Sequence, residues 1–260
     1  MQRYFSKKHI SGREFTLPTD IYHHLINVMR AKPGDHFELI DLDQNILVVK
    51  LIEVTNDQAT GKIIKKISQN SEMPVETIII CGISKGDKTE KIVQKGTELG
   101  AMNFIFYNSE RSVARWDSRK AQKKIPRLKK IAQGAAEQAH RLKIPSVTFY
   151  DGLAAAVFAI VDAKYKIVAY EESGKKGETS QLAQVFADIQ QHLGPGTGQK
   201  FKLAAFFGPE GGFSTKEIQF LNANKVLSVG MGPRIMRAET APLYLLATLS
   251  FISELEYNDR

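Results

Sequence analysis

Two glycine-rich segments near the carboxyl-terminal end of the chain carry the residues best suited to chemistry. The first is residues 206–214 (FFGPEGGFS), and the second is residues 229–241 (VGMGPRIMRAETA). Each follows an apolar run and precedes a helix-like segment. Because glycine costs conformational entropy, it favours places where the backbone turns sharply or approaches a ligand closely. The two segments therefore predict one pocket that is built largely from backbone atoms.

Charged side chains accompany both glycine-rich segments. Arg234, Arg237 and Glu239 lie between the second turn and an apolar helix. An exposed ion pair between Arg237 and Glu239 would contribute only about 0–1 kcal/mol, but its place beside the turn favours a functional role. Glu210 fits either an exposed turn carboxylate or a group that orients a cationic or hydroxyl-bearing ligand.

The sequence lacks the motifs of several common sites. No window fits G-x-x-x-x-G-K-[ST], and the pattern that starts at Gly230 has Ile235 where a dinucleotide fingerprint needs its third glycine. No G-x-S-x-G elbow occurs. The six histidines show no H-E-x-x-H spacing, and one cysteine cannot seed a zinc cluster. We therefore expect no Walker-type ATP hydrolysis, no classical NAD site and no metal.

Bulk composition points to a basic globular protein. The 260 residues carry a formal net charge of +8, which attracts polyanions such as nucleic acid, although a merely solvated basic surface would look the same. No stretch approaches the ~20 apolar residues of a membrane span, and no apolar run follows the first residues as in a signal peptide. The lone Cys81 is expected to be a buried thiol. We expect a cytoplasmic protein with no membrane partner.

The elements that must position these residues fall into two domains, 1–72 and 73–260. Residues 37–40 and 46–54 read as a hairpin, residues 59–67 as a further strand and residues 21–29 as a short helix. Mostly short strands in about 70 residues predict a small β-barrel.

After Pro74 apolar runs alternate with helical patterns, which predicts an α/β fold with a mostly parallel sheet. The runs are residues 77–83, 104–107, 147–150, 167–170, 203–207 and 226–229. Helices are predicted over residues 89–100, from Pro126 onward, and over residues 215–223 behind a Ser214–Glu217 capping box. A last helix, residues 242–257, is apolar almost all round, which suggests a subunit interface as much as an internal core.

Basic residues follow two of the predicted strands, on the side where open α/β sheets bind ligands. They are Lys85, Lys88, Arg111 and Arg115, and arginine suits phosphate because its guanidinium offers paired donors. Solvated loop lysines remain an equal reading of any one of them. The pairs at 119–120, 123–124 and 129–130 read instead as the polar face of a helix.

Several motifs together resemble the ribosomal RNA small-subunit methyltransferase E family, in the right order over nearly the whole chain. They are residues 207–212 (FGPEGG), 232–241 (GPRIMRAETA), 95–100 (KGTELG), 137–141 (EQAHR) with 144–145 (IP), 3–5 (RYF), 23–25 (HHL) and 28–30 (VMR). Met236 and Ala238 depart from the leucine and threonine common in that family. Ala238 therefore receives no polar role.

The resemblance implies a SPOUT-type parallel sheet with a C-terminal trefoil knot, plus an N-terminal PUA-like β-barrel. It also implies S-adenosylmethionine as cofactor, N3-methylation of a uridine in 16S ribosomal RNA of the small ribosomal subunit, and a homodimer that forms through the C-terminal helix.

Site roles follow from the resemblance combined with the reading of the residues. Arg237 and Glu239 are the catalytic candidates, with Glu239 either holding Arg237 or acting as a base. The cofactor-binding candidates are Tyr170, Glu171, Phe207, Gly208, Pro209, Glu210, Gly211, Gly212, Val229, Gly230, Met231, Gly232, Ile235, Met236, Arg237, Thr240 and Ala241. The RNA-binding candidates are Arg3, Arg30, Lys32, Lys85, Lys88, Arg111, Arg115 and Arg141.

Two other functions fit parts of the sequence. A basic RNA-binding protein without catalysis would explain the barrel and the net charge, but it would not need the glycine-rich pair. A nucleotide-dependent enzyme of another kind has only the α/β pattern in its favour, and a fold alone does not determine function.

Overall fold

The computed structural model of the chain describes residues 1–10, 12–170, 180–193 and 201–255. The chain divides into two compact units, and each is described by itself. The first comprises Met1–Glu72 with Ala136–Lys143, and the second comprises Met73–Ala135 with Ile144–Arg260. Relative to the expected domains 1–72 and 73–260, the short segment Ala136–Lys143 groups with the first unit instead of the second.

The first unit is built on a five-stranded sheet with the order β1-β3-β4-β5-β2. The strands are β1 (Gln2–Phe5), β2 (Glu14–Thr16), β3 (His36–Ile40), β4 (Ile46–Val54) and β5 (Ala59–Ile67). The expected hairpin is confirmed, since β3 and β4 pair antiparallel. Asp41 holds its turn by accepting the backbone N–H groups of Asp43 and Asn45 at 2.9 and 2.8 Å.

The expected helix over residues 21–29 has an irregular form. A single α-helical turn, α1 (Thr19–Tyr22), continues as a π-helical stretch over His23–Val28. Ile21, Tyr22 and Leu25 are buried, so this segment contributes one apolar face to the core of the unit.

Two buried arginines stabilise the first unit by ion pairing. Arg3 is 2% exposed, and its Nε and Nη2 lie 2.8 and 2.7 Å from Oε2 of Glu38. Its Nη1 donates to the carbonyl of His140. Arg141, also 2% exposed, pairs with Glu72 at 2.5 Å. Buried charges are stable only when paired, so this placement argues against a phosphate contact for either Arg3 or Arg141, and we do not propose one.

The second unit contains a six-stranded, fully parallel sheet with the order β11-β9-β10-β6-β7-β8. All six apolar runs predicted from the sequence form strands. They are β6 (Glu76–Gly82), β7 (Asn103–Tyr107), β8 (Ser146–Tyr150), β9 (Tyr165–Ala169), β10 (Lys202–Phe207) and β11 (Leu227–Val229). Alternate residues enter two apolar clusters, such as Ile79 in one and Ile80 in the other, which is the pattern of a sheet buried on both faces.

Helices connect these strands. They are α2 (Lys88–Glu98), α3 (Ser118–Gln138), α4 (Leu153–Phe158), α5 (Ser180–His192), α6 (Thr215–Ala223) and α7 (Thr240–Ser250). The prediction for α6 and its capping box is confirmed. The expectation that Pro126 begins α3 is wrong, because the helix starts at Ser118 and Pro126 lies inside it. Asp117 supplies the start signal instead, by accepting the backbone N–H of Lys120 at 2.7 Å.

The last helix is less enclosed than its composition suggested. Helix α7 continues as a π-helical stretch, Phe251–Leu255, and residues 256–257 of the expected helix lie outside the described residues. Leu245, Leu246 and Leu249 are fully buried. Tyr244, Phe251 and Leu255, however, are 40%, 54% and 66% exposed. One apolar face is therefore open in the single chain.

Cys81 is a buried free thiol, and burial raises its pKa. None of the helices within the described residues combines the length and the apolar character needed to cross a membrane.

The buried Arg3–Glu38 pair predicts a large stability effect. We expect Arg3→Met to lower the free energy of unfolding by about 3–5 kcal/mol, because it leaves Glu38 buried without its cation. The matched control is Lys7→Met, which removes the exposed Lys7–Asp20 pair (71% and 51% exposed) and should change stability by less than about 1 kcal/mol. Denaturant unfolding of both variants checks this, and equal effects would contradict it.

Candidate functional site

Both glycine-rich segments line one cavity of about 580 Å³ in the second unit, beyond the ends of β9 and β10. The carboxyl ends of parallel strands are the usual place for a ligand in an open α/β sheet, and this volume lies in the usual range for small-molecule sites. Of the predicted site residues, the following line it: Lys88, Arg111, Tyr170, Phe207, Gly208, Pro209, Glu210, Gly211, Gly212, Ile235, Met236, Arg237 and Ala241.

Close backbone packing fixes the first glycine-rich loop. A Cβ on Gly208 would lie 2.9 and 3.0 Å from the backbone C and Cα of Gly212, and Gly212 has a φ of +65°. A Cβ on Gly211 would lie 3.0 Å from the carbonyl oxygen of Arg111. Only glycine fits both constraints without strain, so the loop presents its backbone to the cavity.

Glu217 connects this loop to a neighbouring strand end. In the capping box of α6, its Oε2 accepts the N–H of Ser214 at 2.9 Å and its own N–H donates to Oγ of Ser214 at 3.1 Å. Its Oε1 also accepts the N–H of Glu110 at 3.1 Å. Glu217 is 5% exposed, so one buried carboxylate holds the start of α6 against the loop that follows β7.

Lys88 joins the two glycine-rich segments. Its Nζ lies 2.8 Å from Oε1 of Glu210 and 3.7 Å from Oε2 of Glu239. Oε1 of Glu210 also accepts the backbone N–H of Lys85 at 3.0 Å. Oε2 of Glu239 is buried and, among the described residues, accepts no hydrogen bond, so Lys88 is the nearby positive charge that compensates it.

The electrostatics of this cluster agree with its geometry. The hydrogen bond to Glu210 raises the pKa of Lys88. Burial alone would raise the pKa of Glu210, but the hydrogen bonds from Lys88 and the backbone of Lys85 hold it below its ordinary 4.5. Both groups are therefore charged throughout the physiological range.

Arg237 lines the cavity without a carboxylate partner among the described residues, and its side chain is exposed. Its carbonyl accepts the N–H groups of Thr240 and Ala241 at 2.9 and 3.2 Å, which fixes its backbone at the start of α7. Glu239 approaches Lys88 instead of Arg237. The structure thus leaves the guanidinium of Arg237 open to a ligand.

The remaining cofactor-binding candidates lie beside the cavity without lining it, or outside the description. Val229, Gly230, Met231, Gly232 and Thr240 are not among the lining residues. The carbonyl of Val229 accepts the N–H of Tyr170 at 3.0 Å, so the second segment supports the lining from behind. Glu171 lies outside the described residues.

The RNA-binding candidates are spread over both units. Arg30 and Lys32 are exposed in the first unit. In the second unit Lys85 is exposed, Arg111 donates to the carbonyl of Gly211 at 3.3 Å, and Arg115 donates to the carbonyl of Ser109 at 3.3 Å.

Sequence reasoning missed four lining residues and one packing residue. Ala169, Phe213, Thr215 and Ala238 line the cavity, and a Cβ on Gly82 would lie 2.6 Å from Cδ of Pro209. The first three flank predicted motif residues, so extending each motif by one or two positions would have found them. Gly82 carries no such signal, since its neighbour Pro209 is distant in sequence. Within the described ranges, no group of three or more His, Cys, Asp or Glu side chains could hold a metal ion.

Comparisons with known proteins place this site in a family. A profile described as "RNA methyltransferase domain" matches residues 71–250, and one described as "RNA methyltransferase PUA domain" matches residues 17–64. The chain is 39% identical to ribosomal RNA small subunit methyltransferase E of Bacillus subtilis (strain 168), with 100% of both proteins covered.

Solved structures agree with these matches. One is ribosomal RNA small subunit methyltransferase E from Neisseria gonorrhoeae bound to S-adenosyl methionine, at a TM-score of 0.80 and 26% identity, covering 97% of this chain and 98% of that one. Another is a methyltransferase from Legionella pneumophila in complex with SAM, at a TM-score of 0.79 and 25% identity, covering 95% and 96%. Since the profile spans most of the chain and the full-length identity is high, this RNA methyltransferase belongs to the ribosomal RNA small subunit methyltransferase E family.

Proposed function

We propose that the protein transfers a methyl group from S-adenosylmethionine to N3 of a uridine in 16S ribosomal RNA of the small ribosomal subunit. The observation that carries this proposal is the convergence of two glycine-rich segments, joined through Lys88, on one cavity. The named relatives support the RNA substrate and the cofactor. A binding protein without catalysis would not need this convergence.

The residues present fit S-adenosylmethionine. Glycines at positions 208 and 211 leave room that a Cβ would fill, so backbone N–H and C=O groups can approach a nucleoside closely. Phe207, Phe213 and Ile235 give the cavity apolar surface, while Arg111 and Glu210 give it charge of both signs. This combination suits a ligand that has an adenine ring, a carboxylate and a positively charged sulfonium.

Arg237 is the residue we assign to the reaction itself. The sulfonium of the cofactor supplies an electrophilic methyl group. N3 of uridine is a poor nucleophile until its proton leaves, and the negative charge that results spreads onto the uracil carbonyl oxygens. The open guanidinium of Arg237 can donate to such an oxygen, and a preorganised cation is often the largest contribution to catalysis. The site need otherwise only align the reactants and exclude water.

Lys88, Glu210 and Glu239 act in this proposal as positioning residues. Lys88 holds one carboxylate from each glycine-rich segment, so it fixes the distance between the loop before α6 and the turn before α7. Glu239 does not line the cavity, which favours a supporting role over that of a base. Lys88 itself is already neutralised by carboxylates, which disfavours a phosphate contact through its ammonium group.

The finer features of fold and assembly belong to the same proposal. We assign the second unit to the SPOUT type with a trefoil knot and the first to a PUA-like barrel that grips RNA through Arg30 and Lys32. Lys85, Arg111 and Arg115 would contact RNA near the cavity. The exposed apolar face of α7, with Tyr244, Phe251 and Leu255, supports a homodimer. We place the protein in the cytoplasm, where its rRNA substrate is made.

Gly208→Ala tests the backbone cradle. Its new Cβ would meet backbone atoms of Gly212, which cannot move aside, so we expect at least a tenfold weaker affinity for S-adenosylmethionine by calorimetry. The control is Gly134→Ala, since a Cβ there meets nothing within 4 Å, and it should leave affinity unchanged. Equal affinity in both variants, or no binding of millimolar ligand by the wild type, would contradict the assignment.

Arg237→Ala tests the catalytic cation. We expect turnover to fall by about 100-fold or more, the order of one oxyanion-stabilising donor, while the affinity for S-adenosylmethionine changes by less than threefold. Arg234→Ala is the matched control, because Arg234 is exposed nearby but does not line the cavity. Single-turnover rates measured alongside calorimetry separate the two effects. A parallel loss of affinity and turnover would make Arg237 a binding residue.

Lys88→Met tests the positioning cluster. We expect a loss of about 5- to 30-fold in kcat/KM, a part-exposed charge pair being worth less than a buried one, with partial recovery in Lys88→Arg. In the wild type the pair is lost only as pH falls through the lowered pKa of Glu210, below 4.5. Without Lys88, burial should raise that pKa, so the acid limb of cofactor affinity shifts to higher pH. Lys91→Met, an exposed lysine one turn further along α2, should show neither effect.

A further inference from the structure

Helix α3 carries a concentrated positive charge that the proposed reaction does not use. Residues 118–138 contain seven cations, all within residues 119–130, and one acidic residue, Glu137. At 3.6 residues per turn, six of the cations fall within an arc of about 140° and span about 17 Å along the helix axis. These six exposed residues form the basic face of α3: Arg119, Lys120, Lys123, Lys124, Arg127 and Lys130.

The basic face is nearly devoid of neutralising carboxylates. Among the described residues, only Arg127 has an ion pair, with Glu90 at 2.8 Å. Lys120 reaches no further than the carbonyl of Arg115, at 3.5 Å. The neighbouring helix α2 differs, since each of its lysines pairs with a carboxylate. The surface charge of the second unit is therefore balanced on α2 and unbalanced on α3.

This pattern works against the helix that carries it. Like charges stand at i,i+4 in the pairs Arg119–Lys123, Lys120–Lys124 and Lys123–Arg127, and each such pair destabilises a helix. Cations in the first turns are also disfavoured by the helix dipole. A bound polyanion would remove both costs at once.

The apolar side of α3 is already in use. Leu128 and Ala132 are 1% and 0% exposed, and Ile125 and Ile131 pack against the same core cluster. A helix that lies on a membrane must insert an apolar face into the lipid, and α3 has none to spare. Charge without a free apolar face suits the phosphates of a nucleic acid.

The loop that precedes α3 leads to the cavity. Arg111, seven residues before Ser118, lines it. Asn108 fixes this loop by donating to the carbonyl of Trp116 at 2.8 Å and accepting its N–H at 3.0 Å. Trp116 is buried and packs against Phe106 and Phe149, so the start of α3 is held firmly relative to the site.

We propose that the basic face of α3 binds the phosphate backbone of the RNA substrate beside the target nucleotide. This proposal rests on the proposed function for the identity of the RNA and for the site beside it. It revises the reading of these lysine and arginine pairs as a merely solvated helix face.

The test is the salt dependence of RNA binding by the Lys123→Gln/Lys130→Gln double variant, with 16S rRNA transcribed in vitro as the probe. Each lost phosphate contact lowers the slope of log Kobs against log salt by about 0.7–0.9. We expect the slope to fall by about 1.5–2 and affinity at 0.15 M salt to fall by about 10- to 30-fold. Glutamine is a good helix former, so Tm should hold or rise as repulsion is relieved.

Lys91→Gln/Lys95→Gln is the matched control, because it removes two charges from an exposed helix of the same unit. It should leave slope and affinity within twofold of the wild type. Equal losses in both variants would reduce the effect to net charge and overturn the proposal, as would an unchanged slope in the α3 variant. Weakened binding of the α3 variant to anionic phosphatidylserine vesicles, with RNA binding intact, would make the surface a membrane contact and also overturn it.

Failure of this inference is distinguishable from failure of the proposed function. Calorimetry with S-adenosylmethionine and methyl transfer by the wild type test the reaction, and neither depends on the slope measurement. In the α3 variant the affinity for S-adenosylmethionine should be unchanged while KM for RNA rises. A fall in kcat at saturating RNA with unchanged KM would contradict a docking role.

Discussion

The ammonium group of Lys88 sets the geometry on which the site depends. It faces Glu210 from the first glycine-rich segment and Glu239 from the second, and both carboxylates are less than a third exposed. Two carboxylates brought this close would repel each other and lose solvation without a shared cation. Lys88, at the first position of α2, therefore links the two segments to the helix that follows β6 and makes one cavity from chain regions far apart in sequence.

Around this charged link, the site is shaped by the absence of side chains. The loop after β10 packs its own backbone at Gly208 and Gly212 and meets the loop after β7 at Gly211. Gly82 at the end of β6 allows Pro209 to approach. Adjacent parallel strands end at the same edge, so these contacts follow from the sheet order. The polar groups left to face the cavity are mostly backbone atoms, and Arg237 is the cation with an open guanidinium.

Local signals in the sequence were enough to predict most of the elements, and long-range partners were not. The turn at Asp41, the six apolar runs of the parallel sheet and the Ser214–Glu217 capping box all depend on residues within a few positions of one another, and all are confirmed. The start of α3 was missed because proline's preference for the first helical turn outweighed the weaker capping signal of Asp117. The pairing of Arg3 with Glu38 and of Lys88 with Glu210 joins residues 35 and 122 positions apart. An arginine that neutralises a buried carboxylate and one that awaits a phosphate look the same in a sequence.

The same distinction gives meaning to the net charge of +8. In the first unit Arg3 and Arg141 are consumed by internal carboxylates, and on α2 the lysines are balanced in the same way. What remains for a partner is concentrated on α3 and the loop before it, within the unit that holds the cavity. A polyanion attracted by long-range charge would therefore meet its strongest unneutralised field next to the site rather than evenly over the surface. Because counterion release rewards contacts that do not distinguish sequence, such a surface supplies affinity, and the choice of nucleotide falls to the cavity and Arg237.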